Sequence, residues 1–377
     1  MKKFVLSLVS LLAVVLFVSS CNGGKSRHDN VAGDTLRLKY AEHLHIIRYN
    51  DYTLVSLDNP WKRGAELHRY VLVPRKDSAR VGALPQGTVV YTPVERSVVF
   101  TSPHCYLLGL LGAGSVVGGV CDLPYINIPD IQRAAKRGSV VDCGNSMSPS
   151  VERMVAIQPQ ALLVSPFEGA SYGQVERLGV PLIECADYME TSALGRAEWM
   201  KFYGMLVGKV HEADSLFAAV ERGYTDAMRL ARKSAVRPKV ITERVVSGVW
   251  YCPGGKSSMG RLIADAGGRY AFADDSHSGS LTLSPEKVLE RAADADCWFF
   301  IGSGGGATRS QLLAEYSGYK ILKAFKDGNV YECMPSIDNQ YFEQISFRPD
   351  FLLEDMVNIL HPDLKMGQKS RYYRQIR

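Results

Sequence analysis

Two stretches of the chain share one register: "SVERMVAIQPQALLV" from Ser150 to Val164, and "PEKVLERAADADCWFF" from Pro285 to Phe300. A Ser-Pro stands at the head of each, Ser148-Pro149 and Ser284-Pro285. Glu152 and Glu286 start the register, Arg153 and Lys287 follow, and two apolar residues come next. Gln160-Ala161 then matches Asp294-Ala295 ahead of an apolar run. Helically spaced apolar residues followed by a short continuous apolar run predict a helix and then a buried strand. A unit written twice predicts two similar lobes.

The surroundings carry the same rhythm. From Val89 onward, "RSVVFTS", "SVVGGV", "ALLVS" and "PLIECA" read as strands. "PHCYLLGLLGAG", the Glu152 segment, "YGQVERLGV" and "LGRAEWMKFYGMLVGK" read as helices between and after them. A second series starts at "PKVITERVV" and closes on a helix around "FRPDFLLEDMVNILHP". Alternation of this kind implies mostly parallel sheets flanked by helices, so the expected class is α/β with two Rossmann-like lobes. Between them, Ala213, Leu216, Phe217, Val220, Tyr224 and Met228 keep one apolar stripe without a proline. They predict a linking helix of roughly 24 residues, about 36 Å long. Such a link allows only a small hinge motion. Ahead of the lobes, "LRLKYAEHLHIIRY", "YTLVSL" and "HRYVLVP" alternate apolar and polar residues between turn clusters, predicting a small run of β-hairpins.

The chain opens on "MKKFVLSLVSLLAVVLFVSSC", a basic start, an apolar run and small residues before Cys21. The apolar run is shorter than the about 20 residues a membrane span needs. "VSSC" resembles a bacterial lipobox, which implies cleavage before Cys21 and its acylation. The expected organisation is a lipoprotein signal peptide over 1–20, a flexible tether over 21–35 and a β-hairpin extension over 36–88. An N-terminal lobe over 89–209, the linking helix over 210–236 and a C-terminal lobe over 237–377 complete it. At 377 residues the chain has room for two such cores. A formal charge of +5, with Lys2 and Lys3 inside the leader and no basic block elsewhere, argues against a nucleic-acid partner. Cys105, Cys121, Cys143, Cys185, Cys252, Cys297 and Cys333 follow Cys21. The number is odd and no C-x-x-C occurs, so at least one is unpaired within the chain and a zinc knuckle is not expected.

Taken in order, "RSVVFTSPHCYLLGLLG", "VVGGVCDLPY", "GNSMSPSVERMVAIQPQALLV", the linking helix and "LSPEKVLERAADADCWFF" resemble the periplasmic metal-chelate-binding proteins of ABC importers. Members of that family bind ferric siderophores, haem or cobalamin. The likeness runs from about residue 89 to about residue 365. The hairpin extension is extra, and "AAD" stands where the family often has proline followed by an acid or amide. The resemblance implies no resident cofactor and a permease dimer with its ATPase as partner. It also implies a docking role for Glu152 and Glu286, one glutamate per lobe meeting arginines of the permease. Helix-start acids at these positions are favourable in their own right.

A ligand between such lobes sits outside the carboxyl ends of the strands. The loops ending there offer His104, Tyr106, Tyr125, Asn145, Met147, Phe167 and Glu168 from the first lobe. From the second they offer Arg244, Trp250, Tyr251, Lys256 and Arg309, then Gln340, Tyr341 and Arg348. Aromatic faces suit a large conjugated chelate, and arginines suit its acidic groups. His104 is the one candidate axial metal ligand, and no other metal site is expected. Two glycine motifs compete. "GSGGGA" from Gly302 follows a strand in the manner of a dinucleotide fingerprint, but late in its sheet. "GVWYCPGGKSS" places six residues between Gly248 and Gly255 where a phosphate loop needs four. Neither a glycine-flanked nucleophilic serine nor H-E-x-x-H occurs, so an enzyme is not expected. The expected function is a lipid-anchored solute-binding protein on the periplasmic side of a bacterial membrane. Its ligand would be a ferric siderophore, with cobalamin or haem as alternatives and an exported chelate-processing enzyme as the remaining one.

Overall fold

A computed structural model describes residues 33–79, 82–169, 171–302, 304–364, 367 and 369–377. The leader, Cys21 and most of the tether lie outside the described residues. The extension comprises β1 (Asp34–Leu36), β2 (Leu44–Arg48), β3 (Thr53–Asp58), β4 (Glu66–Pro74) and β5 (Thr88–Thr92), paired in that order. The first three junctions are antiparallel, as hairpins require, but β5 lies parallel to β4. Val89 to Thr92 therefore belong to the extension and not to the first lobe. A β-branched run such as "TVVYT" suits either sheet, and tertiary pairing decides which one takes it.

The N-terminal lobe follows with β6 (Ser97–Val99), α1 (Ser102–Leu110), β7 (Val117–Val120), α2 (Pro129–Lys136) and β8 (Val141–Asp142). A two-stranded hairpin, β9 (Gly144–Asn145) and β10 (Ser148–Pro149), leads into α3 (Val151–Ile157). Then come β11 (Ala161–Val164), β12 (Leu182–Glu184), α4 (Ala193–Glu198) and α5 (Met200–Leu206). The sheet is parallel in the order β12-β11-β6-β7-β8. Val98, Leu162 and Val164 pack on one face while Val99, Ala161 and Leu163 pack on the other. That two-residue alternation buries both faces, as a parallel sheet demands. Two expected helices differ in detail. "YGQVERLGV" forms only a 3-10 turn at Gly173–Leu178, bracketed by left-handed Gly173 and Gly179. The segment after it breaks at Trp199 into α4 and α5.

The linking helix is α6 (Val210–Ala231), 22 residues and so about 33 Å long. Ala213, Phe217, Val220 and Tyr224 are buried along it as the stripe predicts, joined by Ala227 and Ala231. The C-terminal lobe contains β13 (Lys239–Thr242), β14 (Val245–Val246), β15 (Val249–Pro253), α7 (Ser258–Asp265), β16 (Arg269–Tyr270) and β17 (Ser280–Leu283). It continues with α8 (Pro285–Ala292), β18 (Cys297–Ile301), α9 (Arg309–Glu315), α10 (Lys323–Asp327) and β19 (Val330–Cys333). α11 (Tyr341–Gln344), α12 (Pro349–Leu360) and β20 (Tyr373–Gln375) close the chain. Its main sheet runs β16-β13-β18-β19-β20, parallel except for β20, and β14, β15 and β17 form a side sheet. The protein is thus two α/β lobes with mostly parallel sheets joined by one long helix. Tyr224 on α6 donates to Asp265 of α7 at 2.7 Å, and α12 packs along α6, so the link is held from the C-terminal side as well.

Two buried carboxylates tie the extension to the first lobe. Glu198 accepts from the backbone N–H groups of Lys39, Tyr40 and Ala41 at 2.8–3.1 Å. Glu190 accepts from those of Glu42 and His43 at 3.0–3.1 Å and from the Trp199 indole at 2.9 Å. Tyr40 also donates to Glu221 on α6 at 2.7 Å. At the lobe's edge strand β12, the Tyr70 hydroxyl donates to the Leu182 carbonyl and accepts from the Glu184 N–H. The extension thereby covers a sheet edge that would otherwise be open to pairing.

Candidate functional site

Each lobe carries a depression where its strand order reverses, the place at which open α/β sheets bind ligands. In the first lobe this point lies between β6 and β11. The residues just past those strands, Phe100, Thr101, Ser165 and Phe167, line a depression of about 550 Å³. Met147 and Val151 close its side, and the β9–β10 hairpin sets that rim through the Asn145 carboxamide, which accepts the Met147 N–H at 2.9 Å. Met147 and Phe167 are exposed by 77% and 48%, so apolar surface stands open to a ligand. In the second lobe the reversal lies between β13 and β18. There Glu243, Arg244 and Ile301, with Tyr251 and Ser257, line a depression of about 510 Å³.

Glu243 has a left-handed backbone, φ 61°, unusual for a non-glycine residue. It is held there from β18: its N–H donates to the Phe299 carbonyl at 2.8 Å, and its own carbonyl accepts the Trp298 indole N–H at 2.7 Å. Burial raises the pKa of its carboxyl to about 7, against the opposing pull of the Ile301 N–H and the Arg244 guanidinium.

A family model for periplasmic binding proteins matches residues 100–337. The chain belongs to the periplasmic binding protein family. This binding protein is 27% identical to an uncharacterized lipoprotein of Methanocaldococcus jannaschii over 360 residues, covering 89% of the chain and 84% of the relative. It shares its fold with a structure titled as an ABC-type Fe3+-hydroxamate transport system from Saccharomonospora viridis, at a TM-score of 0.55 and 19% identity, covering 71% of the chain and 93% of that structure. A periplasmic heme-binding protein from Roseiflexus is similar at a TM-score of 0.54 and 21% identity, covering 72% and 100%.

Within the binding protein, several residues expected in the cleft serve elsewhere. His104 is buried: Nε2 faces the Asp187 carboxylate at 2.9 Å and the Tyr203 hydroxyl at 3.1 Å, and Nδ1 meets the Thr101 hydroxyl. Burial opposes its charged form, yet the Cys185 sulfur and the Asp187 carboxylate raise its pKa to about 10. Both ring nitrogens are thus engaged inside the lobe, and His104 does not line the depression as an axial ligand would. It instead orients Thr101 at the edge of the first depression. Trp250 is 0% exposed, its ring against Trp298 and Tyr319 and its N–H on the Thr242 carbonyl. Tyr341 is buried against Tyr372 and Tyr373. Both are core residues, because alternation along a strand or a short helix turns one aromatic inward beside an exposed neighbour. Tyr251 and Phe342 are those neighbours.

The arginines are also engaged. Arg244 pairs with Glu315, Arg348 with Asp350 at 2.6 Å, and the Arg309 guanidinium lies 4.1 Å from the Phe325 ring centroid. Tyr106 is half-buried beside Gln344 and Arg348, where α1 meets α11 across the lobes. Tyr125 is exposed by 78% on the loop after β7, outside both depressions. Met147, Phe167, Tyr251 and Arg244 are the expected residues that the depressions contain, with Asn145 supporting a rim. Thr101, Ser165 and Glu243 escaped the sequence reading, although each directly follows a strand at a reversal point or stands next but one to it.

The two glycine motifs have structural explanations. A side chain at Gly302 would collide with the Glu332 carboxylate, which accepts the Ala307 N–H at 3.0 Å and pairs with Arg374. The anion position of that loop is therefore filled by the protein itself. At Gly254 a side chain would strike the backbone of His277, so the glycine serves close chain packing.

Glu152 and Glu286 occupy equivalent, exposed positions. Each is the second residue of its helix, behind a serine cap: Ser150 accepts from the Arg153 N–H and Ser284 from the Lys287 N–H. All seven described cysteines are buried and unpaired.

Proposed function

We propose that this protein is the solute-capturing component of an ABC importer, holding a metal chelate between its lobes and docking on a permease dimer through Glu152 and Glu286. The observation that carries this reading is the pair of depressions, one at the strand-order reversal of each lobe. A ligand held by both depressions together would be larger than either alone could take. The fold similarity to iron-hydroxamate and haem-binding structures supports a chelate as ligand. Phe167 and Met147 on one wall and Tyr251 on the other supply apolar surface that a single sugar or amino acid would leave unused. With His104 engaged, a ferric siderophore stands ahead of haem.

The test is binding by tryptophan fluorescence to ferric siderophores, cobalamin, haemin, amino acids and sugars. Saturable micromolar or tighter binding is expected among the chelates alone, weakened about tenfold by Phe167→Ala through lost apolar contact. Trp250 is too deeply buried to report by direct contact. Tight binding of a simple sugar or amino acid with no chelate bound refutes the proposal.

The localisation proposed is extracytoplasmic, with the chain anchored to the membrane by acylation of Cys21. The lipoprotein naming of the relatives and the Val18–Cys21 sequence support it. Expressed with its leader, Cys21→Ser should move from the membrane fraction to the soluble one. A variant that sediments like the parent removes the anchor.

A further inference from the structure

We propose that the cleft selects metal chelates of zero or positive net charge, and that Glu243 is the residue that reads this charge. The inference rests on the chelate-binding reading above and adds which chelates are taken. Its basis is what the walls lack and what they hold. Among the described residues, none of those lining the first-lobe depression carries a charge; the polar groups there are hydroxyls and an amide, such as Thr101, Ser165 and Gln174. On the second-lobe wall the charged residues are Glu243 and Arg244. Arg244 is neutralised by Glu315. The adjoining recess adds Glu332, itself bridged by Arg374 at 2.5 Å. The balance of the lining is a single unmatched carboxyl. An acidic chelate entering here would give up hydration and meet no unpaired cation among the lining residues, which disfavours it.

Glu243 is built for the reading role. Its backbone is pinned to β18 on both sides, which fixes where the side chain leaves the main chain at the edge of the depression. Around it stand Arg244 on its own loop, Cys252 on β15 and Tyr270 on β16. Cys333 on β19, Tyr341 on α11 and Tyr373 on β20 complete the surroundings. Burial pushes these thiols and phenols upward, leaving them uncharged near neutrality. Arg244 and Glu243 are then the charges that change or decide the local field, and Glu243 ionises at about pH 7. As pH rises through that value the wall gains a negative charge, which favours a cationic chelate and further disfavours an anionic one.

Three probes test this: an uncharged ferric trishydroxamate, a ferric trishydroxamate bearing one protonated amine, and a strongly anionic ferric tris-catecholate. The parent should bind the first two and reject the third. Affinity for the amine-bearing complex should rise about tenfold from about pH 6 to about pH 8, as expected for one close charge pair in a partly exposed site. Glu243→Gln should flatten that pH dependence. Equal or tighter binding of the tris-catecholate overturns the charge selection while leaving the chelate-binding function standing. A pH dependence that persists in Glu243→Gln overturns the role of Glu243. Failure to bind any metal chelate overturns the functional reading and this proposal together.

Discussion

Replacing Glu198 by alanine should lower the melting temperature by roughly 4 °C. The carboxylate is buried and receives three backbone N–H groups from the Lys39–Ala41 segment, with Lys201 at 3.4 Å as its counter-ion. Truncation leaves those donors and a half-buried ammonium without an acceptor. The cost is about 3 kcal/mol, more than a lost surface pair, because desolvated donors cannot recover water. Glu198→Gln keeps one acceptor oxygen and should lose about half as much. The extension should also become open to protease in Glu198→Ala, since the clasp with Glu190 holds the segment between β1 and β2 on the lobe. Thermal unfolding and limited proteolysis check both statements. A melting temperature within about 1 °C of the parent would show that other contacts carry the extension.

The second large effect concerns transport. Glu152→Arg combined with Glu286→Arg should abolish uptake in cells while leaving chelate affinity in solution unchanged. Both side chains are exposed at the first turn of capped helices and line neither depression. If the proposed docking holds, reversing both charges would turn two attractive contacts with a basic partner into repulsive ones, each worth more at a docking surface than alone in water. Stability should change by less than about 1 kcal/mol, the helix-terminus contribution. Uptake at the parental rate would reduce the two glutamates to helix-start acids. An equal loss of chelate affinity would place them in the cleft instead of at the permease.

Some of this molecule is written locally. The repeated Ser-x-Glu register specifies a capped helix because a serine hydroxyl and the third N–H beyond it are neighbours in sequence. The stripe on α6 is legible for the same reason, since helical periodicity is a property of consecutive residues. Two lobes, parallel sheets and the long link followed from such signals, and so did the positions of Glu152 and Glu286. Which strand a run joins is another matter. "TVVYT" pairs with β4 and not with β6, and only long-range pairing decides that.

The cleft was legible only in outline. Loops after strands could be named, but the direction of each side chain depends on what packs behind it. His104 turned inward because Asp187 and Tyr203, far along the chain, offer it a buried charge and a hydroxyl. Trp250 lies inside and Tyr251 outside because β15 sits between β14 and β17 with one face on the core. The arginines lost their candidacy to carboxylates and rings that sequence spacing does not reveal. Sequence by itself determined the lobes, the link and the paired helix-start glutamates, whose causes lie within a few residues. Tertiary structure alone decided which charges beside the depressions are paired, because a charge counts there only after its partner, often tens of residues away, has been brought beside it or kept apart.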